Sequence, residues 1–278
     1  MKRILLAIDT EKLDRKSLDF GCYLAQLTHS ALTGVFLGER RFEPESGVKF
    51  AYGGIYVETI DARELPETQY RQKVREKNLK LFKSTCEELG VAYHILRDQT
   101  DPVKDLIAES RYADLLVVDP ELLSTSPLDR PSAFVKDVLA GAECSVIISP
   151  YYFNEVNEIV FAYDGQPSSV FAIKQFTYLF PQLFCKKITV MQANEAGVFR
   201  KESEEKIHTY LKAHYVNIEF QDLVGKPDDQ LFDHLLRKND AFVIMGAYGR
   251  TKLSNFFKHS TAELLIEVNG LPIFIAHH

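Results

Sequence analysis

Ile4-Leu5-Leu6-Ala7-Ile8-Asp9 opens the chain, and Ile159-Val160-Phe161-Ala162-Tyr163-Asp164 reopens it at an offset of 155 (159 minus 4). Each is an apolar run closed by an aspartate, the pattern of a strand buried on both faces. Later blocks recur in the same order. Asp114-Leu115-Leu116-Val117-Val118 matches Asp240-Ala241-Phe242-Val243-Ile244 at an offset of 126 (240 minus 114), and Ser145-Val146-Ile147-Ile148 matches Pro272-Ile273-Phe274-Ile275 at 127 (272 minus 145). The chain is therefore read as two tandem copies of one domain, over residues 1–152 and 155–278, joined by a short linker near Tyr151 to Asn157.

In each copy β-rich runs alternate with segments of helical period. This predicts an α/β architecture of two doubly wound, Rossmann-like domains, each a five-stranded parallel sheet with helices on both faces. Strands are expected near 3–8, 32–37, 91–96, 114–118 and 145–149, and again at 159–163, 188–192, 217–221, 241–245 and 272–276. In the second copy Ser168 and Ser169 are placed to cap a helix ending before Pro181. A second helix covers about 201–213. A third follows Pro227-Asp228-Asp229, with Leu231, Leu235 and Leu236 toward the sheet, and a last one runs from about Ser260 to Val268. The closing strand of each copy is an apolar edge that would be an aggregation hazard if bare.

The copies differ by an insertion at about 39–69, which holds Phe42, Phe50, Tyr52, Ile55 and Tyr56 among Pro44, Gly47, Gly53, Gly54 and Pro66. Its aromatics argue for a lid or hairpin on its own domain, with a partner-binding arm as the other reading.

At 278 residues, 46% hydrophobic and 26% charged, the chain has the makeup of a soluble globular protein, and no apolar run reaches the roughly 20 residues that span a bilayer. Asp9 closes the first apolar run too early for a signal peptide, which points to the cytoplasm. Cys22, Cys86, Cys144 and Cys185 are scattered without a CxxC pair and read as reduced thiols. A net charge of −6 gives no general attraction for nucleic acid.

Ligands of open doubly wound sheets bind beyond the carboxyl ends of the strands, where the strand order reverses. In the second copy three segments meet there: Asp164 after the first strand, Gln192-Ala193-Asn194 ending the second, and Gly246-Ala247-Tyr248-Gly249-Arg250 after the fourth. The glycines allow close backbone approach, and successive amides make a nest for phosphate oxygens. Ser260 and Thr261 add hydroxyls and amides at the start of a helix. Gly246-x-x-Gly249, nine residues from Arg250 to Lys258, and then His259-Ser260-Thr261 resemble the nucleotide loop of the universal stress protein family, G-x2-G-x9-G-[S/T]. Ala162-Tyr163-Asp164-Gly165, Val224-Gly225-Lys226-Pro227 and Leu271-Pro272-Ile273-Phe274-Ile275 extend the resemblance along the chain.

The resemblance implies a cytoplasmic stress-response module that binds ATP or another adenine nucleotide, with Mg2+ only as the nucleotide's companion. It places adenine and ribose contacts on Ala162, Tyr163, Asp164 and Ala193, and phosphate contacts on Gly246, Gly249, Ser260 and Thr261. Arg250 can balance phosphate charge. His259 stands at the family's third glycine, where a ring either crowds the phosphates or donates a hydrogen bond to them. The resemblance also implies a pseudo-dimer within one chain, the two copies packed about a pseudo-two-fold axis with the closing strands, Ser145 to Ser149 and Pro272 to Ala276, adjacent and antiparallel; further homodimerisation is open.

After Val118 the first copy reads Asp119-Pro120-Glu121, two acids and an imino acid where the second has its glycine loop, so phosphate is repelled there. No P-loop, GxGxxG, GxSxG or HExxH motif occurs. No catalytic residues are assigned, no metal site is expected, and any ATP hydrolysis is slow. The competing reading is a nucleotide-independent interaction protein that acts through the insertion and the domain interface.

Overall fold

The structure, a computed structural model, describes residues 1–38, 46–51, 54–59, 66–97, 101–124, 130–153, 155–197, 201–246 and 270–276. In chain order the first half contains β1 (Arg3–Asp9), α1 (Arg15–Thr28), β2 (Ala31–Leu37), β3 (Ser46–Ala51), β4 (Gly54–Thr59), α2 (Pro66–Glu88), β5 (Tyr93–Arg97), α3 (Pro102–Ser110), β6 (Leu115–Val118), α4 (Ala133–Gly141) and β7 (Ser145–Ile148). The second half contains β8 (Glu158–Ala162), α5 (Pro167–Leu179), β9 (Lys187–Asn194), α6 (Lys201–Lys212), β10 (Asn217–Val224), α7 (Pro227–Leu235), β11 (Ala241–Gly246) and β12 (Ile273–Ala276). The expected last helix, from about Ser260 to Val268, lies outside the described residues.

Ten strands form one sheet in the order β10-β9-β8-β11-β12-β7-β6-β1-β2-β5. Each half is parallel within itself, and the order reverses between β1 and β6 and again between β8 and β11. The halves meet as the sequence leads one to expect: β7 and β12 pair antiparallel, with Ile148 opposite Ile273, Ile147 opposite Phe274 and Val146 opposite Ile275. Two edges that would each invite aggregation thereby satisfy one another.

The central strands are apolar throughout because helices cover both faces. Residues of alternate parity point to opposite sides. On one side Ile4, Leu6, Phe161 and Phe274 pack with residues of α1, α2, α5 and α6. On the other Leu5, Leu116, Val243 and Ile275 pack with α3, α4 and α7. The first of these layers is continuous across the junction, where the Phe20 ring of α1 lies 6.3 Å from Phe242 of β11 and 4.9 Å from Phe153 of the linker.

Local signals set the helix starts. Asp14 caps α1 by accepting from the Ser17 amide at 2.8 Å, and Asp101 and Ser132 cap α3 and α4 in the same manner. The start of α5 departs from expectation. Pro167 fixes the first helical position, so Gln166 is the N-cap, and Ser169 lies inside the first turn with its hydroxyl turned back to the Gln166 carbonyl at 3.0 Å. Leu231 and Leu235 of α7 are buried, but Leu236, its C-cap, is exposed. A residue following Leu235 is turned by about 100° and leaves the apolar stripe.

The insertion contains an antiparallel hairpin, β3 with β4, running from Ser46 opposite Thr59 to Ala51 opposite Gly54. It forms a two-stranded sheet separate from the ten-stranded one. Pro66, assigned to the insertion from sequence, instead opens α2.

Candidate functional site

The second reversal of strand order places the ends of β9, β8 and β11 next to one another. Ala162 closes β8 half-buried. Tyr163, the next residue, is 5% exposed and belongs to the core: its amide donates to the Met191 carbonyl at 2.9 Å and its hydroxyl to the Ser203 carbonyl at 3.2 Å. Burial, and then the neighbouring Asp164 charge, push its phenol pKa up. With the side chain so engaged, the backbone is what Tyr163 offers a ligand.

Asp164 is exposed, and its Oδ1 accepts from the Gln166 amide at 2.9 Å and the Ser169 hydroxyl at 2.6 Å. It holds the β8–α5 turn, in which Gly165 adopts φ +75°. The resemblance assigned this carboxylate to a ligand, and its visible role is to cap the turn.

On β9, Ala193 and Asn194 are half-buried. The Asn194 side chain accepts from the Ala196 amide at 2.8 Å, while its carbonyl receives the amides of Gly197 and Gly225. Asn194 thus ties the β9 turn to the β10 turn. Gln192, one residue earlier, is 8% exposed, and its amide nitrogen has no hydrogen-bond partner among the described residues. Sequence reading put Gln192 at this strand end but gave its side chain no role. The signal was present in the residue type, a polar amide inside an otherwise apolar strand.

Gly246, last residue of β11, lies two positions beyond Ile244, which is level with Phe161. A Cβ here would fall 2.4 Å from the Ser168 carbonyl carbon and 2.5 Å from the Ser169 nitrogen. The sequence reading gave this glycine a role in phosphate approach. Its visible task is to let the first turn of α5 rest against the strand end. Gly249, Arg250, His259, Ser260 and Thr261 lie outside the described residues.

The first reversal, between β1 and β6, holds a cavity of about 190 Å³ that the sequence did not signal. Asp9, Asp14, Asp119, Glu121, Lys12 and Lys16 contribute its charged lining. Asp119 accepts from the Glu121 amide at 2.7 Å and from the Ser17 hydroxyl at 3.0 Å, and the Ser17 oxygen lies 2.6 Å from that of Ser149. Glu121 pairs with Lys12 at 3.2 Å and with Arg130. Burial, reinforced by the Asp14 and Glu121 charges, pushes Asp119 up to about 6 against the opposing hydrogen bonds. The acids read from sequence as hostile to phosphate are thus the wall of a real cavity.

Among the described residues no group of three or more His, Cys, Asp and Glu is placed to hold a metal, and no helix is long and apolar enough to cross a membrane. His208 packs edge-on against Phe220 at a ring separation of 5.3 Å, and His214 lies tilted against Tyr210 at 4.8 Å.

No protein-family model matches the sequence, and no curated protein matches it either. Solved structures do. A universal stress protein from Archaeoglobus fulgidus superposes with a TM-score of 0.67 at 15% identity, covering 99% of this chain and 96% of that one. A putative universal stress protein from Pseudomonas aeruginosa gives 0.60 at 13% identity over 100% and 93%. An Arabidopsis thaliana universal stress protein family protein with AMP bound matches at 18% identity, covering 52% of this chain and 89% of that one, with a TM-score of 0.33. At these identities the full-length likenesses speak to architecture alone: this chain has the fold of universal stress proteins.

Proposed function

We propose that the second half binds one adenine nucleotide, ATP or a relative, and that the protein serves in the cytoplasm as a stress-response or regulatory module without robust catalysis. The observation that carries this reading is the convergence of the β8, β9 and β11 ends at the reversal of strand order, where doubly wound sheets take their ligands. Ala162, Tyr163, Asp164 and Ala193 form the adenine and ribose side of the proposed site. Gly246 leads from β11 into the loop of Gly249 and Arg250, which with His259, Ser260 and Thr261 forms its phosphate side. Mg2+ enters only with the nucleotide.

The first half is read as a degenerate copy that takes no phosphate, a reading supported by Asp9, Asp14, Asp119 and Glu121, which outnumber Lys12 and Lys16 in the cavity lining. Titration calorimetry of the full chain with ATP and with AMP tests the proposal. One equivalent per chain supports it, two would place a site in each half and overturn the assignment, and no heat with either nucleotide would overturn nucleotide binding. In the last case the reading that remains is an interaction protein acting through the β3–β4 hairpin, which pairs with neither edge of the main sheet.

A further inference from the structure

Cys22 and Cys86 are 64 residues apart in the chain, yet their sulfurs lie 4.0 Å from one another. Cys22 sits in the second turn of α1 and Cys86 in the last turn of α2, both fully buried in the layer that also holds Phe20 and Phe82. A disulfide needs sulfurs about 2 Å apart. The remaining gap of about 2 Å is closed by movement of the two side chains and local opening of α2. We propose that Cys22 and Cys86 form an oxidation site, an intramolecular dithiol that hydrogen peroxide converts to a disulfide fastening α1 to α2.

The contact polarises the pair. Sharing the Cys22 proton favours the Cys86 thiolate, and this hydrogen bond, working against burial, brings the Cys86 pKa down; the same contact, followed by burial, drives that of Cys22 up. Cys86 is therefore the attacking sulfur. Its thiolate attacks one peroxide oxygen, the O–O bond breaks, and hydroxide leaves and takes a proton as water. The resulting Cys86 sulfenic acid is then attacked by the Cys22 sulfur. As the S–O bond breaks, the sulfenic hydroxyl departs with the Cys22 proton as a second water. Two thiols lose two electrons, and one peroxide becomes two waters.

Access follows from the way α2 is held. Among its residues with described side chains only Thr68, Phe82, Thr85 and Cys86 are buried, and the Thr85 hydroxyl has no partner among the described residues. A long helix with so few buried anchors opens locally at small cost, and peroxide is small enough to enter through such openings. Cys144 lacks a neighbouring thiol, and burial pushes its pKa up to about 12. Cys185 is exposed and stands apart from the pair.

The consequence reaches the first-half cavity. Asp14, at the head of α1, belongs to its lining, and α2 holds the loop before it through Arg75 to Glu11 at 2.7 Å and Asn78 to the Thr10 carbonyl at 2.9 Å. A covalent tie between the two helices clamps both sides of that loop.

The test treats the full-length protein with hydrogen peroxide, quenches it with catalase, alkylates it under denaturing conditions and maps the peptides. Free thiols should fall from four to two, with the peptides of Cys22 and Cys86 linked, the link reversed by dithiothreitol, and amide exchange in α2 slowed while it lasts. A Cys144→Ser/Cys185→Ser variant should form the same link. Full alkylation of Cys22 and Cys86 after treatment, sulfinic acid at Cys86 without a link, or a link between chains would overturn the assignment. A link that leaves exchange in α2 unchanged would overturn the clamp.

Discussion

Gly246 and Ser168 share a boundary that admits no side chain: a Cβ on the glycine would stand 2.4 Å from the Ser168 carbonyl carbon. The obstacle is backbone at the head of a helix, which cannot swing aside as a flexible side chain would. Gly246→Ala should therefore destabilise the protein without ligand by about 2 to 3 kcal/mol, the range of overpacking in a rigid setting. Denaturant melts of the wild-type and variant proteins check this. An unchanged midpoint would mean that the glycine serves a ligand alone.

Phe274 lies in β12 opposite Ile147, at the seam of the two halves, and its ring is 5.3 Å from that of Phe176 in α5. It is fully buried. Phe274→Ala should cost about 3 to 5 kcal/mol, as truncation of a core phenylalanine does. Because β12 joins two half-sheets, the loss should loosen β7 as well as β11, which hydrogen exchange of the Val146 and Ile147 amides would report. Faster exchange confined to the second half would show that the seam does not couple them.

All ten strands of the main sheet could be located from sequence: the central ones because their burial is two-sided, so that runs such as Leu115–Val118 and Ile159–Phe161 are apolar without a break, and the half-exposed edge strands β5 and β10 because β-rich runs recur between helical segments in both copies. The antiparallel seam was legible through the resemblance to paired universal stress protein domains, and two apolar edges that need a cover agree with it. What escaped depended on partners far away in the chain. Cys22 and Cys86 belong to helices separated by the insertion, and the cavity beside Asp119 needs Ser17 and Ser149 brought together from three parts of the first half. At the second-half site, the sequence named the strand ends but not what occupies each side chain. Asp164 is engaged by Ser169 within a turn in which Gly165 has positive φ and Pro167 opens α5, and Tyr163 by Ser203 of α6, 40 residues further along the chain.

Asp119 gives a pH dependence of definite sign. Its pKa is about 6 in the folded protein against 3.8 for the free group, so the folded state binds the proton more tightly than the unfolded chain. Below the unfolded value both states are protonated and nothing is lost. As pH rises through 3.8 toward 6 the unfolded chain ionises first, and above 6 the full cost of a buried charge is present, on the order of 2 to 3 kcal/mol. Asp119→Asn removes the charge and keeps an acceptor for the Glu121 amide. The variant should be more stable than wild type at pH 7.5, with the advantage shrinking as pH falls from 6 to 4, as thermal melts at several pH values would reveal. A pH-independent difference would assign the effect to packing.

In the proposed site, His259 is expected to set how tightly the nucleotide is held. It occupies the position at which universal stress proteins, on the resemblance of Gly246-x-x-Gly249 and the residues after it, carry their third glycine. Two effects oppose each other there. A ring crowds the close approach of backbone amides to phosphate, while an imidazole can return one hydrogen bond, worth about 1 to 3 kcal/mol when made to a charged group. Crowding removes several amide contacts at once and should dominate. His259→Gly is therefore expected to tighten ATP by roughly tenfold, about 1.4 kcal/mol, measured by calorimetry at fixed salt. Weaker binding in the variant would make the imidazole a phosphate ligand.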